Sequence, residues 1–62
     1  MYVLNLYENY ENRIKGNKIN KLEFHIEDVA MLEMNRSLDF GHSIELYING
    51  VYKFCLDAVE MV

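Results

Sequence analysis

The sequence predicts a mainly β domain, specifically a small five-stranded antiparallel meander or partial barrel. Three observations favour this fold: short segments in which apolar residues alternate with other residues, an excess of apolar residues at even positions, and one Asn-Gly pair. The alternating segments are 4–6, 22–24, 32–34, 44–46 and 54–56. Because successive side chains of a strand point to opposite faces, this alternation predicts a sheet with one buried and one solvated face.

The first strand is predicted around residues 4–6, and a long loop is predicted after it. Residues 8–20 contain five charged residues, four asparagines and one glycine, with no apolar period. Segments of this composition are typical of loops.

Residues 22–41 decide between a β and an α+β fold. Eight of their ten even positions are apolar, against two of ten odd positions, which favours two strands over an amphipathic helix. A hairpin with the connection 27–29 would pair Phe24 with Leu32. The composition favours a different structure, because residues 27–34 are rich in helix formers, with acids at the start and Arg36 near the end. The alternative is therefore an α+β fold, ββαββ, with a short helix near 27–37.

The last two strands are predicted to form a hairpin around Asn49-Gly50. A two-residue turn would place Leu46 opposite Lys53 and so mix the two faces of the sheet. A three-residue loop over 48–50 pairs Leu46 with Tyr52 instead, and keeps one face apolar. We therefore expect the longer loop.

Length and cysteine content limit how the chain is stabilised. Sixty-two residues allow a single domain, 1–62, and a chain of this size buries only about 60% of its unfolded surface. Cys55 is the only cysteine, so no internal disulfide forms. We therefore expect support from a second subunit, most simply a homodimer. No apolar run approaches the roughly 20 residues of a membrane span, and the N-terminus lacks an export signal, so we expect a cytoplasmic protein.

No motif for catalysis, metal binding or cofactor binding is found. His25 stands between Glu23 and Glu27, which is a thin basis for a zinc site, since such sites usually need three or four ligands. His42 and Cys55 lack a third group that would orient a nucleophile. We therefore expect no enzyme, no cofactor and no metal.

The charge distribution motivates the main functional hypothesis. The net charge is −4, and residues 22–62 alone carry −6. An acidic body repels nucleic acid and attracts basic surfaces. We expect a small acidic protein-binding module, most specifically an inhibitor that mimics nucleic acid and occludes a basic nucleic-acid-binding surface on its target. In this hypothesis Glu23, Glu33 and Glu45 project from neighbouring strands on one face. The richness in Asn, Lys, Ile and Tyr suggests an AT-rich source such as a phage or mobile element.

Two alternatives remain open at this stage. The first is a self-associating structural or regulatory module held by apolar and aromatic side chains of the outer face, namely Tyr7, Met31, Tyr47 and Val51. The second is a nucleic-acid binder that uses the basic segment 13–21, although the acidic remainder makes direct nucleic-acid binding the weaker hypothesis.

Overall fold

In the computed structural model, which describes residues 1–58, the chain folds into a four-stranded antiparallel sheet with two helices. The elements in chain order are β1 (Tyr2–Tyr7), α1 (Tyr10–Lys15), β2 (Asn20–Phe24), α2 (Glu27–Asp39), β3 (Ser43–Ile48) and β4 (Val51–Leu56). The strand order is β2-β1-β3-β4. The antiparallel sheet agrees with the sequence prediction. The five-stranded meander is wrong, and the α+β alternative fits roughly.

The core lies between one face of the sheet and α2. Leu4 of β1 stands opposite Leu46 of β3, and these two side chains pack with Ile44 and with Met34 of α2. All four are buried. The apolar even positions of the sequence therefore form the face that α2 covers, as the alternation predicts for the strands.

The third alternating segment, 32–34, is helical, so the predicted hairpin between 22–26 and 30–34 is wrong. In α2 the buried side chains are Ala30, Met34 and Ser37, which follow the helical spacing i, i+4, i+7. Leu32, an apolar member of the misleading alternation, is 61% exposed. Phe24 pairs with Tyr2 of β1 instead of Leu32. The acids of the first turn and Arg36 of the last turn suit the helix dipole.

Part of the predicted loop 8–20 is also helical. The Asn9 side chain accepts a hydrogen bond from the Asn12 backbone N–H at 2.9 Å and caps the start of α1. Gly16 ends the helix in the left-handed conformation, with φ of 76°. The loop prediction missed this helix because it weighed the polar composition and not the two capping residues at its ends.

In the β3–β4 hairpin, a bulge keeps the apolar side chains of both strands on one face of the sheet. The predicted three-residue loop is not found. Ile48 stands opposite Val51, so the turn has two residues, both with positive φ (52° and 80°), as in a type I′ turn. Tyr47 pairs with Tyr52, and Leu46 pairs with Phe54, which leaves Lys53 as the extra residue. The predicted pair Leu46–Tyr52 is therefore wrong. The bulge restores the apolar alternation that the short turn would otherwise shift by one residue.

Candidate functional site

The outward side of α2 presents a continuous line of exposed residues, here named the outer ridge. It consists of Asp28, Leu32, Asn35 and Asp39, at the spacing i, i+4, i+7, i+11, and all four are exposed. This spacing places the four side chains on one side of the helix, opposite to the buried Ala30. The outer ridge therefore combines an exposed leucine with two carboxylates.

The carboxylates of the outer ridge are not neutralised by neighbouring groups. Within residues 1–58, no Lys, Arg or His nitrogen lies within 4.0 Å of either Asp28 or Asp39. The whole of α2 carries four acids against Arg36, a net charge of −3. This helix is thus the most acidic element of the fold that the structure describes.

The packing of α2 explains why the outer ridge stays outside. Ala30 is fully buried against the sheet, and the Ser37 hydroxyl donates a hydrogen bond to the Glu33 carbonyl at 2.9 Å. That bond satisfies a buried hydroxyl without help from the sheet. Because Met34 lies in the core between these two small residues, the helix rests closely on the sheet and its opposite side faces solvent.

The three carboxylates predicted from the sequence do not share one face. Glu23 of β2 and Glu45 of β3 stand opposite Val3 and Asn5 on the face of the sheet away from α2. Glu33 belongs to α2, so the sheet separates it from the other two. The premise that all three project from neighbouring strands is wrong, because the segment around Glu33 is helical.

Each of these carboxylates also has a partner. Glu23 lies 3.7 Å from Lys21 Nζ, and Glu33 lies 3.6 Å from an Arg36 nitrogen. Glu45 is half-buried and accepts a 2.6 Å hydrogen bond from the Tyr7 hydroxyl. Short hydrogen bonds to a carboxylate are strong ones, so Glu45 is held in place and serves first to satisfy Tyr7. Their roles in binding a partner stay predictions.

The apolar residues predicted to form an interface are found in different environments. Tyr7 is 4% exposed, and Met31 packs against the core. Tyr47 lies on the face away from α2 and makes an edge-to-face contact with Tyr52, with ring centroids 5.6 Å apart. Val51, at the start of β4, is 56% exposed. Of these four predicted residues, Val51 is the most open to a partner.

Burial and Glu45 together stabilise the neutral Tyr7 hydroxyl. Burial is the larger cause, and the hydrogen bond to Glu45 adds to it, so that the pKa of Tyr7 is raised to about 12. The Asn5 amide nitrogen contacts the same carboxylate oxygen at 3.4 Å. The face away from α2 is therefore held at its centre by a small polar network.

The basic segment 13–21 is partly neutralised. The Arg13 guanidinium donates two hydrogen bonds of 2.8 Å to Asp57, and this pairing lowers the pKa of the Asp57 carboxyl. Lys21 faces Glu23. Lys18 and Lys21 border a shallow cavity of about 220 Å³, together with Asn5 and Tyr47. Direct nucleic-acid binding by this segment stays a prediction, with Lys15 and Lys18 as its remaining free cations in residues 1–58.

Residues 1–58 bring together no group of three His, Cys, Asp or Glu side chains that would hold a metal ion. In the same residues, no helix has the length and apolar character needed to cross a membrane.

Comparisons with known proteins found no relative of this chain. No family model matches the chain, and neither does a curated protein or a solved structure.

Proposed function

We propose that this protein is a small acidic protein-binding module whose outer ridge docks on a basic surface of another protein. The observation that carries the proposal is the position of Leu32, which stands exposed on α2 between the unpaired carboxylates of Asp28 and Asp39. In its most specific form, the target is a nucleic-acid-binding protein and the carboxylates take the place of phosphates. The protein then acts as an inhibitor by occlusion.

The charge density of α2 supports this form of the proposal. Four acids lie along a helix of 13 residues, which is roughly 20 Å long at 1.5 Å per residue. One strand of duplex DNA carries about six phosphates over that length, at 3.4 Å each. Allowing for Arg36, α2 has about half the charge density of a nucleic-acid strand. A basic surface that binds phosphates would therefore attract it.

Leu32 adds an apolar contact, which provides the affinity that exposed charges alone do not. Exposed charges steer association, but they are screened over about 8 Å at physiological salt and contribute little net affinity. An exposed apolar side chain in the middle of a charged helix face anchors such contacts when it enters a pocket on the partner. A partner with an apolar pocket bordered by Lys or Arg fits the outer ridge.

The proposal moves the contact away from two of the residues expected from the sequence. Glu23 and Glu45 lie on the other side of the sheet and are paired with Lys21 and Tyr7. Glu33 lies on α2 beside the outer ridge and remains a candidate contact. Asp28 and Asp39 become the main charged contacts, because no cation within the described residues neutralises them.

Two matched variants test the proposal. The ridge variant carries Asp28→Asn with Asp39→Asn, and the control carries Glu8→Gln with Glu11→Gln, at exposed positions outside α2. Both raise the net charge by two. The immobilised proteins capture ligands from a cell lysate at low and at high salt. Each captured protein is then purified, and its affinity for labelled nucleic acid is measured with and without the present protein.

The expected result is competition: the captured protein loses its affinity for nucleic acid when the wild type is added. The ridge variant should compete at least tenfold more weakly, and the control should compete like the wild type. If the two variants compete equally well, the contact does not lie on α2. A captured protein that binds nucleic acid and the present protein simultaneously would rule out occlusion.

A further inference from the structure

The edge strand β4 leaves apolar side chains partly uncovered on the face of the sheet that carries α2. Helix α2 packs mainly on β1, β2 and β3, and β4 is the strand farthest from it. On the face that α2 covers, Phe54 and Leu56 extend the row of buried residues begun by Leu46 and Ile44. They are nevertheless 38% and 41% exposed, and Val51 is exposed as well. Within the part of the chain that is described, the apolar layer thus continues beyond its helical cover.

The features that normally keep strand edges apart are confined to a single position of β4. Its six residues include one charge, Lys53, at the bulge. The opposite edge, β2, has Lys21 and Glu23 in five residues. Charged side chains are a common protection against pairing with another chain, because an unprotected edge has free N–H and C=O groups ready to bond. β2 has two such charges, whereas in β4 the charge and the bulge coincide at Lys53 and residues 54–56 carry no charge.

We infer that β4 pairs in antiparallel orientation with β4 of a second copy of this chain. A two-fold axis brings the same strand of both copies together and makes the contact self-complementary. The contact is apolar, because Phe54 and Leu56 of both copies meet at the shared edge. The net charge of −4 on each copy opposes association, so the apolar contact supplies the affinity.

The size of the chain also favours this occupant. Within residues 1–58, the cluster of buried hydrophobic residues consists of four, Leu4, Met34, Ile44 and Leu46. Domains with so small a core commonly gain stability from a second subunit. Edge pairing of six-residue strands buries less than the roughly 800 Å² per partner of a standard interface, so we expect a reversible dimer with a dissociation constant on the order of 10 μM.

The dimer has a specific geometry. A two-fold axis normal to the sheet gives one continuous eight-stranded sheet with both copies of α2 on the same side. Helix α2 lies over β1, and five strand spacings separate β1 from its copy, which places the two helices roughly 24 Å apart at about 4.8 Å per spacing. The exposed side chains of Phe54 and Leu56 from both copies form an apolar floor between the two acidic helices.

The test uses purified full-length protein without any partner, so its outcome is independent of the proposed function. Sedimentation velocity is recorded over a thousandfold range of protein concentration around the expected dissociation constant of the dimer. The edge variant carries Val51→Lys with Leu56→Lys. The control carries Ile14→Lys with Ile19→Lys, which are two exposed apolar positions outside β4 with the same change in charge. Far-ultraviolet circular dichroism verifies that both variants are folded.

We expect the wild type and the control to pass from monomer to dimer, and the edge variant to dimerise at least tenfold more weakly. Amide hydrogen exchange in the wild type should show slower exchange in β4 as the concentration rises. A wild type that stays monomeric throughout would overturn the inference. So would an edge variant that dimerises as well as the wild type, or a dimer whose β4 amides gain no protection.

Discussion

The two edges of the sheet are built differently, and connectivity explains the difference. Helix α2 joins β2 to β3, so it must cross β1, and in doing so it covers the apolar side of all three strands. β4 is added afterwards by a two-residue turn and lies outside that crossing. The edge strand β2 combines helical cover with charged side chains, whereas β4 has neither to the same degree. The same apolar alternation, at 22–24 and at 54–56, therefore lies under the helix at one edge and beyond it at the other.

Removing the protection of β2 should give the largest effect, because it changes the solution state. In the variant Lys21→Val with Glu23→Val, β2 has no charged side chain and β4 has only Lys53, so chains can pair at either edge. We expect assemblies larger than a dimer, detected by multi-angle light scattering. The control, Lys21→Gln with Glu23→Gln, removes the same charges but keeps polar side chains. A double-valine variant that behaves like the wild type would show that charge is not what protects β2.

Matched leucines on the two edges should differ in their contribution to stability. Leu22 of β2 packs against the core beneath α2, whereas Leu56 of β4 is 41% exposed. We expect Leu22→Ala to lower the free energy of unfolding by about 2 kcal/mol and Leu56→Ala by less than about 1 kcal/mol. Urea unfolding at a concentration where the chain is monomeric measures both. Equal losses would mean that β4 is covered as well as β2.

The polar network at the centre of the sheet should contribute the next largest effect. In Tyr7→Phe the 2.6 Å hydrogen bond to Glu45 is lost, and we expect a loss of about 1.5 to 2 kcal/mol. The folded-state pKa of Tyr7, about 12, lies above its unfolded value of about 10. The stabilisation of the fold by the Tyr7 hydroxyl is therefore complete below pH 10 and disappears as the pH rises towards 12. Alkaline unfolding that is identical in wild type and variant would contradict this.

The turn that attaches β4 should tolerate substitution less well than its exposure suggests. Gly50 has φ of 80°, and a Cβ there would meet no atom within 4 Å, so only backbone strain opposes a side chain. We expect Gly50→Ala to cost about 1 kcal/mol. Gly50→Asn should cost less, because Asn tolerates the left-handed conformation. Thermal unfolding distinguishes the two, and equal losses would point to a cause other than the backbone angle.

The ion pair at the far end of β4 should give the smallest effect. The Arg13–Asp57 pair connects α1 to the residue after β4, and both side chains are partly exposed. We expect Arg13→Gln to cost about 0.5 to 1 kcal/mol at low salt and less at high salt. Arg13 lowers the pKa of the Asp57 carboxyl. The contribution of the ion pair to stability is therefore present above the ordinary aspartate pKa and is lost as the pH falls below it. A difference between wild type and variant that grows in acid would contradict this assignment.

Much of the sheet was predictable because strand alternation is a local property. The segments 4–6, 22–24, 44–46 and 54–56 all lie in strands, and their even positions are on the side of the sheet that carries α2. The Asn49-Gly50 turn was located as well, since both residues readily adopt positive φ. The bulge at Lys53 was not, because it depends on how the whole of β4 fits against β3.

The candidate site was predicted less well, for a related reason. The acidic character of residues 22–62 is a matter of composition, but which carboxylates remain unpaired depends on contacts across the fold. Glu45 is taken up by Tyr7, 38 residues away, and Asp57 is taken up by Arg13, 44 residues away. Such partners cannot be read from neighbouring positions.

The sequence by itself determined four strand segments, the position of one turn and the acidic balance of the chain, all of which follow from residue type and short-range spacing. Only the tertiary structure decided that residues 27–39 are helical. One face of the sheet needed a second layer, and a helix crossing from β2 to β3 supplies it by burying Ala30 and Met34. The same crossing leaves the outer ridge in solvent and β4 uncovered. Long-range packing therefore placed both proposed interaction surfaces.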